Sequence, residues 1–258
     1  MREKTKLFNG FSFAMLLLLS VIFLFPIYLV IMNSFKSKFN IVGTPFEFPN
    51  EDTFVGLQNY ISGIESSGII GAFFRTLFIT VGSVLAIVIF TSMTAWYITR
   101  VKSKFNKAIY YLFLFSMIVP FQMVMFTMTS ICINLGLNNV VGIIPVYLGF
   151  GAGLSVFMFS GFVKSLPKEI EEAAMIDGCS PLKTFFMVVF PILKPTAITV
   201  AILNAMWIWN DFLLPYLVLD RTKYMTIPVH LQYLQGSYGQ VDLGATMAII
   251  VICLIPII

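Results

Sequence analysis

Twelve acidic residues, one histidine and three cysteines are the whole stock that 258 residues offer for acid–base, metal or thiol chemistry. They are not grouped for any of these. Cys132, Cys179 and Cys253 fall in separate stretches, with no metal-ligand or disulfide spacing. His230 stands alone, in what reads as an ordinary outer loop. No GxxxxGK[ST] phosphate loop occurs, so the chain cannot take a nucleotide by that route. Two polar groupings remain. In one, Glu169, Glu171 and Glu172 crowd against Ala173 and Ala174, with Asp177 and Gly178 next. In the other, Asn204, Trp207, Asn210 and Asp211 interrupt an apolar stretch. Asn204, Trp207 and Asp211 fall at i, i+3 and i+7, one face of a helix. An indole beside hydrogen-bonding groups suits a sugar, ring against CH groups and acceptors against hydroxyls. The other reading packs these residues against a partner, or places Trp207 and Trp209 in an interfacial aromatic belt.

The elements that carry them belong in lipid. Hydrophobic residues make up 59% of the chain, charged residues 11%, and 27 residues are Phe; mean hydropathy is +0.93. A soluble core cannot hide that much apolar surface. A bilayer core about 30 Å thick takes roughly 20 helical residues. Six runs qualify as spans, at about 11–33, 72–98, 108–131, 143–163, 196–219 and 243–258. They are apolar on all sides, unlike the alternating strands of a membrane barrel. The first run is too long for a signal-peptide core of roughly 7–15 residues and ends in no small-residue cleavage site, so it reads as an uncleaved anchor. The last run is only about 24 Å long at 1.5 Å per residue and ends without a basic anchor; the native chain is expected to run on past Ile258.

Lysine and arginine set the orientation. Arg2, Lys4 and Lys6 precede the first span; Arg100, Lys102, Lys104 and Lys107 separate the second and third; Lys164, Lys168, Lys183 and Lys194 separate the fourth and fifth. The alternate loops hold Lys36, Lys38, Arg221 and Lys223, with Arg75 just inside span two. The N-terminus and the acidic loop are therefore expected in the cytoplasm. The net charge of +4 is a topology signal and no sign of a nucleic-acid partner. The longest loop, 34–71, carries Pro45 and Pro49 and should hold turns with one short surface helix. Gly149 and Gly153 form a GxxxG pattern suited to close helix packing. Pro26, Pro120, Pro145 and Pro215 are candidate kinks. Gln122 reads as bonded to a neighbouring backbone.

The loop 164–195 specifies two short helices. Pro167 suits a first turn, and the three glutamates lie at the positive end of the dipole. Gly178 can take the left-handed conformation that ends the helix. Ser180 and Pro181 read as N-cap and first residue of a second helix to about Pro191, and Pro195 opens span five. Ile170, Ala173, Ala174 and Asp177 share a face of the first helix, 168–177. A helix lying on an anionic leaflet would be rich in Lys and Arg. This one is rich in Glu, which favours docking a protein. Phe185, Phe186, Val189 and Phe190 of the second helix could tie it to spans four and five.

Glu172-Ala173-Ala174, then Gly178, then Val188, Phe190 and Pro191 resemble the EAA loop of binding-protein-dependent ABC importer permeases, with Val188 for Ile and Phe190 for Leu and the spacing kept. "LQNY", "VPFQ", "LGLNN", "KSLPKEIEEAAMIDG" and "WNDFLLPYLVL" resemble the maltose-type sugar permeases, the MalG-like half of the pair, from about residue 57 onward. The resemblance implies an all-α membrane protein of the type I ABC importer permease fold. It would be a single transmembrane permease domain over 1–258, with six transmembrane helices and a cytoplasmic coupling helix. It implies a bacterial cell-membrane location and no enzyme activity in this chain. Glu169, Glu171, Glu172, Ala173, Ala174, Asp177 and Gly178 would couple to an ATPase. Asn204, Trp207, Asn210 and Asp211 would be candidates for the substrate path. The partners that the resemblance implies are a second homologous permease, two ABC ATPase subunits that bind the ATP, an extracellular sugar-binding protein and a sugar, expected to be an oligosaccharide. Cofactors are expected only as that ATP. An importer of a polyamine or phosphate ester would share the loop. A secondary carrier would carry ion-coupling charges near the midplane, and a membrane enzyme clustered His or acids; the spans hold few charges and the chain one His.

Overall fold

The computed structural model describes residues 2–236 and 242–256. Among them every regular element is helical, with one isolated antiparallel bridge, Lys36 to Phe54. The chain divides into two compact units, residues 1–71 with 230–258, and 72–229.

The first unit is built on α1 (Arg2–Asn33), whose apolar side chains from Gly10 onward are almost all exposed, as lipid contact requires. Beyond it come α2 (Lys38–Gly43) and α3 (Gln58–Ser67). One short helix was expected over 34–71; there are two, locked by side chains. Asn59 donates through Nδ2 to the carbonyls of Ser34 and Lys36, both at 2.8 Å. Lys36 is fully buried and donates to the Thr44 carbonyl at 2.6 Å. These bonds satisfy a turn whose backbone would otherwise be orphaned. The terminal α13 (Leu243–Leu254) packs on α3. A Cβ on Gly63 would sit 3.2 Å from the Ala245 carbonyl, so the glycine admits the helix.

The second unit contains α4 (Ile69–Arg100, from Ala72), α5 (Lys104–Ser116), α6 (Phe121–Asn134) and α7 (Ile143–Ser165). After α8 (Glu169–Ile176) come α9 (Pro181–Thr184), a π-helical turn (Phe185–Val189), α10 (Phe190–Asn210) and α11 (Leu213–Val218). Its core follows Ile79 and Ile87 of α4, Tyr147, Val156, Phe159 and Val163 of α7, and Phe185, Val189 and Leu193. The helix α12 (Ile227–Gly236) holds His230, which was expected in a loop.

The span pattern departs from six uniform crossings. Among the described residues four helices are long and apolar enough to cross, at Gly10–Asn33, Ile69–Arg100, Ile143–Ser165 and Pro181–Asn210. The third expected span, 108–131, is two helices bent by 107° between Ser116 and Phe121, which makes a fifth crossing if the pair is counted as one. Pro120 explains the break: it has no N–H and pushes Val119 out of the helical region. The sixth, α13, has twelve described residues, about 18 Å. Span five was expected over 196–219 but ends at Asn210, with Asp211 extended before α11.

The expected second loop helix does not stop near Pro191. It runs on as one helix to Asn210. The π turn lets it do so. A regular helix would press the Pro191 ring onto the Met187 carbonyl; here the Phe190 N–H reaches back to the Phe185 carbonyl, and the wider turn absorbs the proline.

Candidate functional site

The acidic loop folds as its residue types dictate. Glu169, Glu171 and Glu172 fill the first turn of α8. Gly178 takes φ +82° and ends it. Its N–H donates to the Met175 carbonyl at 3.1 Å, and the Cys179 N–H to the Ala174 carbonyl at 3.0 Å, a Schellman closure. Ser180 Oγ then accepts from the Lys183 N–H, and Pro181 opens the next helix.

The three glutamates do not share a role. Glu171 is 6% exposed and faces its own chain, as does Ala174. Glu171 Oε1 accepts from Arg100 Nε at 2.8 Å and Nη2 at 2.6 Å, and Oε2 accepts from Trp96 Nε1 at 2.9 Å. Arg100 Nη2 also reaches the Leu166 carbonyl at 3.1 Å. The indole of Trp96 lies 5.4 Å from the ring of Phe185, which is fully buried. One carboxylate thus ties α8 to the end of α4, and one aromatic pair ties that end to the π turn. The opposite side of α8 is open: Glu169, Ile170, Glu172, Ala173, Met175, Ile176, Asp177 and Gly178 are exposed, Ile176 by 86%. The aromatic tie also differs from expectation. Phe185 and Val189 are buried, whereas Phe186 is 46% exposed and Phe190 only half-buried.

The second grouping is assembled by α7 and the end of α10. Tyr147 Oη donates to Asp211 Oδ2 at 3.0 Å. Asp211 Oδ1 accepts the N–H of Leu213 at 3.0 Å and so caps α11. The Trp207 ring meets Tyr147 edge-on at 5.6 Å and is 41% exposed. Asn204 is used up inside the chain, donating to Ser155 Oγ at 3.3 Å and to the Val200 carbonyl at 2.8 Å. Asn210 lies apart, exposed, with Nδ2 on the Met206 carbonyl. Helices α7 and α10 approach at Gly151, where a Cβ would lie 2.8 Å from Asn204 Oδ1 and 2.6 Å from Ile87 Cδ1. Gly153 meets α5 at Ser116, while Gly149 borders open space, so the close approaches do not follow the expected GxxxG pair. Gln122 is exposed. Trp209 is buried against Phe73 rather than set in an exposed belt.

Sequence reasoning missed Arg100, Trp96 and Tyr147. Arg100 counted only as a topology charge. The signal for Tyr147 was the need of Asp211, an acid in an apolar stretch, for a donor. Among the described residues no cluster of His, Cys, Asp or Glu could hold a metal. The Asp220 carboxyl, in the loop after α11, is held below its usual range by the Thr222 hydroxyl, which donates to it at 2.6 Å.

Several apolar crossings and a polar loop helix pinned by a buried ion pair define a multi-pass membrane component. Residues 87–258 match the model of the binding-protein-dependent transport system inner membrane component, and the chain belongs to that family. Its members are membrane permease components of ABC importers, not enzymes. The chain is 38% identical over 243 residues to the probable starch degradation products transport system permease protein AmyC of Thermoanaerobacterium thermosulfurigenes, covering 94% of this chain and 87% of that one. It is 34% identical to the multiple sugar-binding transport system permease protein MsmG of Streptococcus mutans, covering 100% and 92%. Its fold matches a chain of a crystallised bacterial ABC transporter involved in import of the acidic polysaccharide alginate, with a TM-score of 0.83 at 21% identity, over 98% of this chain and 93% of that one.

Proposed function

We propose that this chain is one permease subunit of an ATP-driven importer that moves an oligosaccharide across the bacterial cell membrane. A binding protein delivers the sugar outside, a second permease completes the path, and two ATPase subunits bind the ATP. The whole chain acts as one permease domain with six crossings, counting the bent pair and α13, and with the N-terminus in the cytoplasm. The observation that carries this reading is the geometry of α8. One face is fixed to the chain by Glu171 and Arg100, and the other presents Ile176, Met175, Ala173 and two free-standing glutamates, Glu169 and Glu172. A helix held on one side and open on the other, with apolar and acidic side chains side by side, suits a socket in a partner. The sugar class is supported by relatives named for starch products and multiple sugars.

In mechanism, α8 is the coupling helix. A ligand shifts a two-state protein only by its differential affinity for the two states. ATP closes the ATPases, α8 follows, and the Glu171–Arg100 and Trp96–Phe185 contacts carry the motion to α4 and α10. The path then opens alternately to the two sides. Trp207 offers its exposed ring to sugar CH groups, and Tyr147 and Asp211 hold that ring in place. The test is uptake of a labelled maltooligosaccharide by a strain deleted for this gene. Uptake should need the restored gene and the binding protein together. Undiminished uptake in the deletion strain, or loss of polyamine uptake instead, contradicts the reading.

A further inference from the structure

A cavity of about 500 Å3 lies where α4 ends, α5 begins and α7 ends. Its lining includes Lys102, Lys104, Lys107 and Lys164, with Ser103 and Ser160, and no acidic residue. None of the four lysines is in an ion pair among the described residues. Two of the ammonium groups are positioned by rings: Lys164 lies 5.0 Å from Tyr110, and Lys107 6.0 Å from Tyr111. Four exposed cations around one cavity create a positive field that attracts an anion.

Ser160 also lines this cavity. It is 1% exposed and its Oγ has no hydrogen-bond partner. Thr91 and Thr94 of α4 bond back to the carbonyl four residues earlier, whereas Thr80 and Ser83 of that helix, like Ser160, have no partner. A buried hydroxyl left without a partner is destabilising. An acceptor in the cavity removes that cost. The groups required are several cations and a neutral donor around one acceptor-rich anion, which describes a phosphate.

Val101 at the end of α4 and Phe105, Tyr111 and Leu112 of α5, close in the chain to the lining residues, are exposed apolar side chains. A soluble phosphate compound would have no use for them; an acyl chain would. We propose that this cavity binds the phosphate headgroup of an anionic membrane phospholipid, with Lys107, Lys164 and Ser160 as its principal contacts. The leaflet rests on the cytoplasmic orientation given above, where anionic lipid attracts basic segments. The binding itself does not depend on which solute is carried.

The test is lipid retention by the full chain in non-ionic detergent, read by native mass spectrometry with phosphatidylglycerol and with phosphatidylcholine of the same acyl chains. Phosphatidylglycerol should be retained in one copy, and phosphatidylcholine should wash out. The double variant Lys107→Gln/Lys164→Gln should bind phosphatidylglycerol about 30-fold more weakly, and Ser160→Ala about fivefold more weakly. Both lysines are exposed, so the double variant tests the site even if Ser160→Ala fails to fold. Equal retention of the two lipids, or unchanged binding by the double variant, overturns the proposal. Displacement of the lipid by millimolar inorganic phosphate assigns the cavity to a soluble phosphate compound and also overturns it. So does loss of the lipid when ATPase subunits are added, which gives the cavity to a protein partner. A failure of sugar uptake would leave all of these results standing.

Discussion

Glu171 is the residue on which the loop turns. Its carboxylate is buried against Arg100 and Trp96, so removing one partner leaves a charge without compensation. Arg100→Met is expected to destabilise the protein by about 3–5 kcal/mol. Trp96→Phe removes a single bond to a charged group and is expected to cost about 2 kcal/mol. Replacing both Arg100 and Glu171 by Met should recover most of the first loss, because no charge is then stranded. Thermal unfolding in detergent measures all three. A double variant as damaged as the sum of its parts would show that the pair is not the tie. The sequence displayed three neighbouring glutamates that looked alike. Nothing in their spacing says which one turns inward; that depends on where the end of α4 lies, 71 residues earlier in the chain. Asn204 was hidden for the same reason. Its helical face was legible, but Ser155 across the interface decides that it is consumed by packing. Thiol labelling separates the two kinds of residue. Trp207→Cys should react with a small polar reagent, and Asn204→Cys should not. Equal labelling at both positions contradicts the packing described.

At the scale of elements, the acidic helix was legible nearly to the residue. Its capping signals are local: three acids at the start, Gly178 after the end, then Ser180 and Pro181. Gly178 sits at φ +82° with open space around it. Gly178→Ala should therefore cost only the backbone strain, about 1–2 kcal/mol, and Gly178→Asn less. A larger loss would mean that the site is also crowded, which the surrounding space excludes. The longer elements were less legible. Pro191 and Pro195 look like helix breakers, yet a π turn absorbs the first and the helix continues. Pro120 looks like a kink inside one span and instead separates two helices bent by 107°. The local rule is the same at each proline, and tertiary packing picks the outcome. The aromatic tie follows suit. Phe185→Ala should cost about 3–5 kcal/mol, since its ring is fully buried. Phe186→Ala should cost clearly less, because that ring is half exposed. The reverse order, by thermal unfolding of the two variants, would place the tie on the wrong ring.

At the scale of the whole molecule, composition alone announced a membrane protein, and the spacing of the loop motif announced the family that the comparisons establish. The number of crossings was harder to read, because a bent pair and a short terminal helix do not look different from ordinary spans in a hydropathy pattern. The central claim is that α8 transmits ATP-driven motion to a path for oligosaccharide. Its most direct measurement is the ratio of maltooligosaccharide transported to ATP hydrolysed in vesicles reconstituted with both permeases, the ATPases and the binding protein. The native complex should move sugar only with ATP and binding protein present. Ala173→Trp, on the open face of α8, should release the ATPases and abolish transport. Phe185→Ala should retain them on pull-down yet hydrolyse ATP with little sugar moved. Full transport per ATP in both variants would contradict the role given to α8.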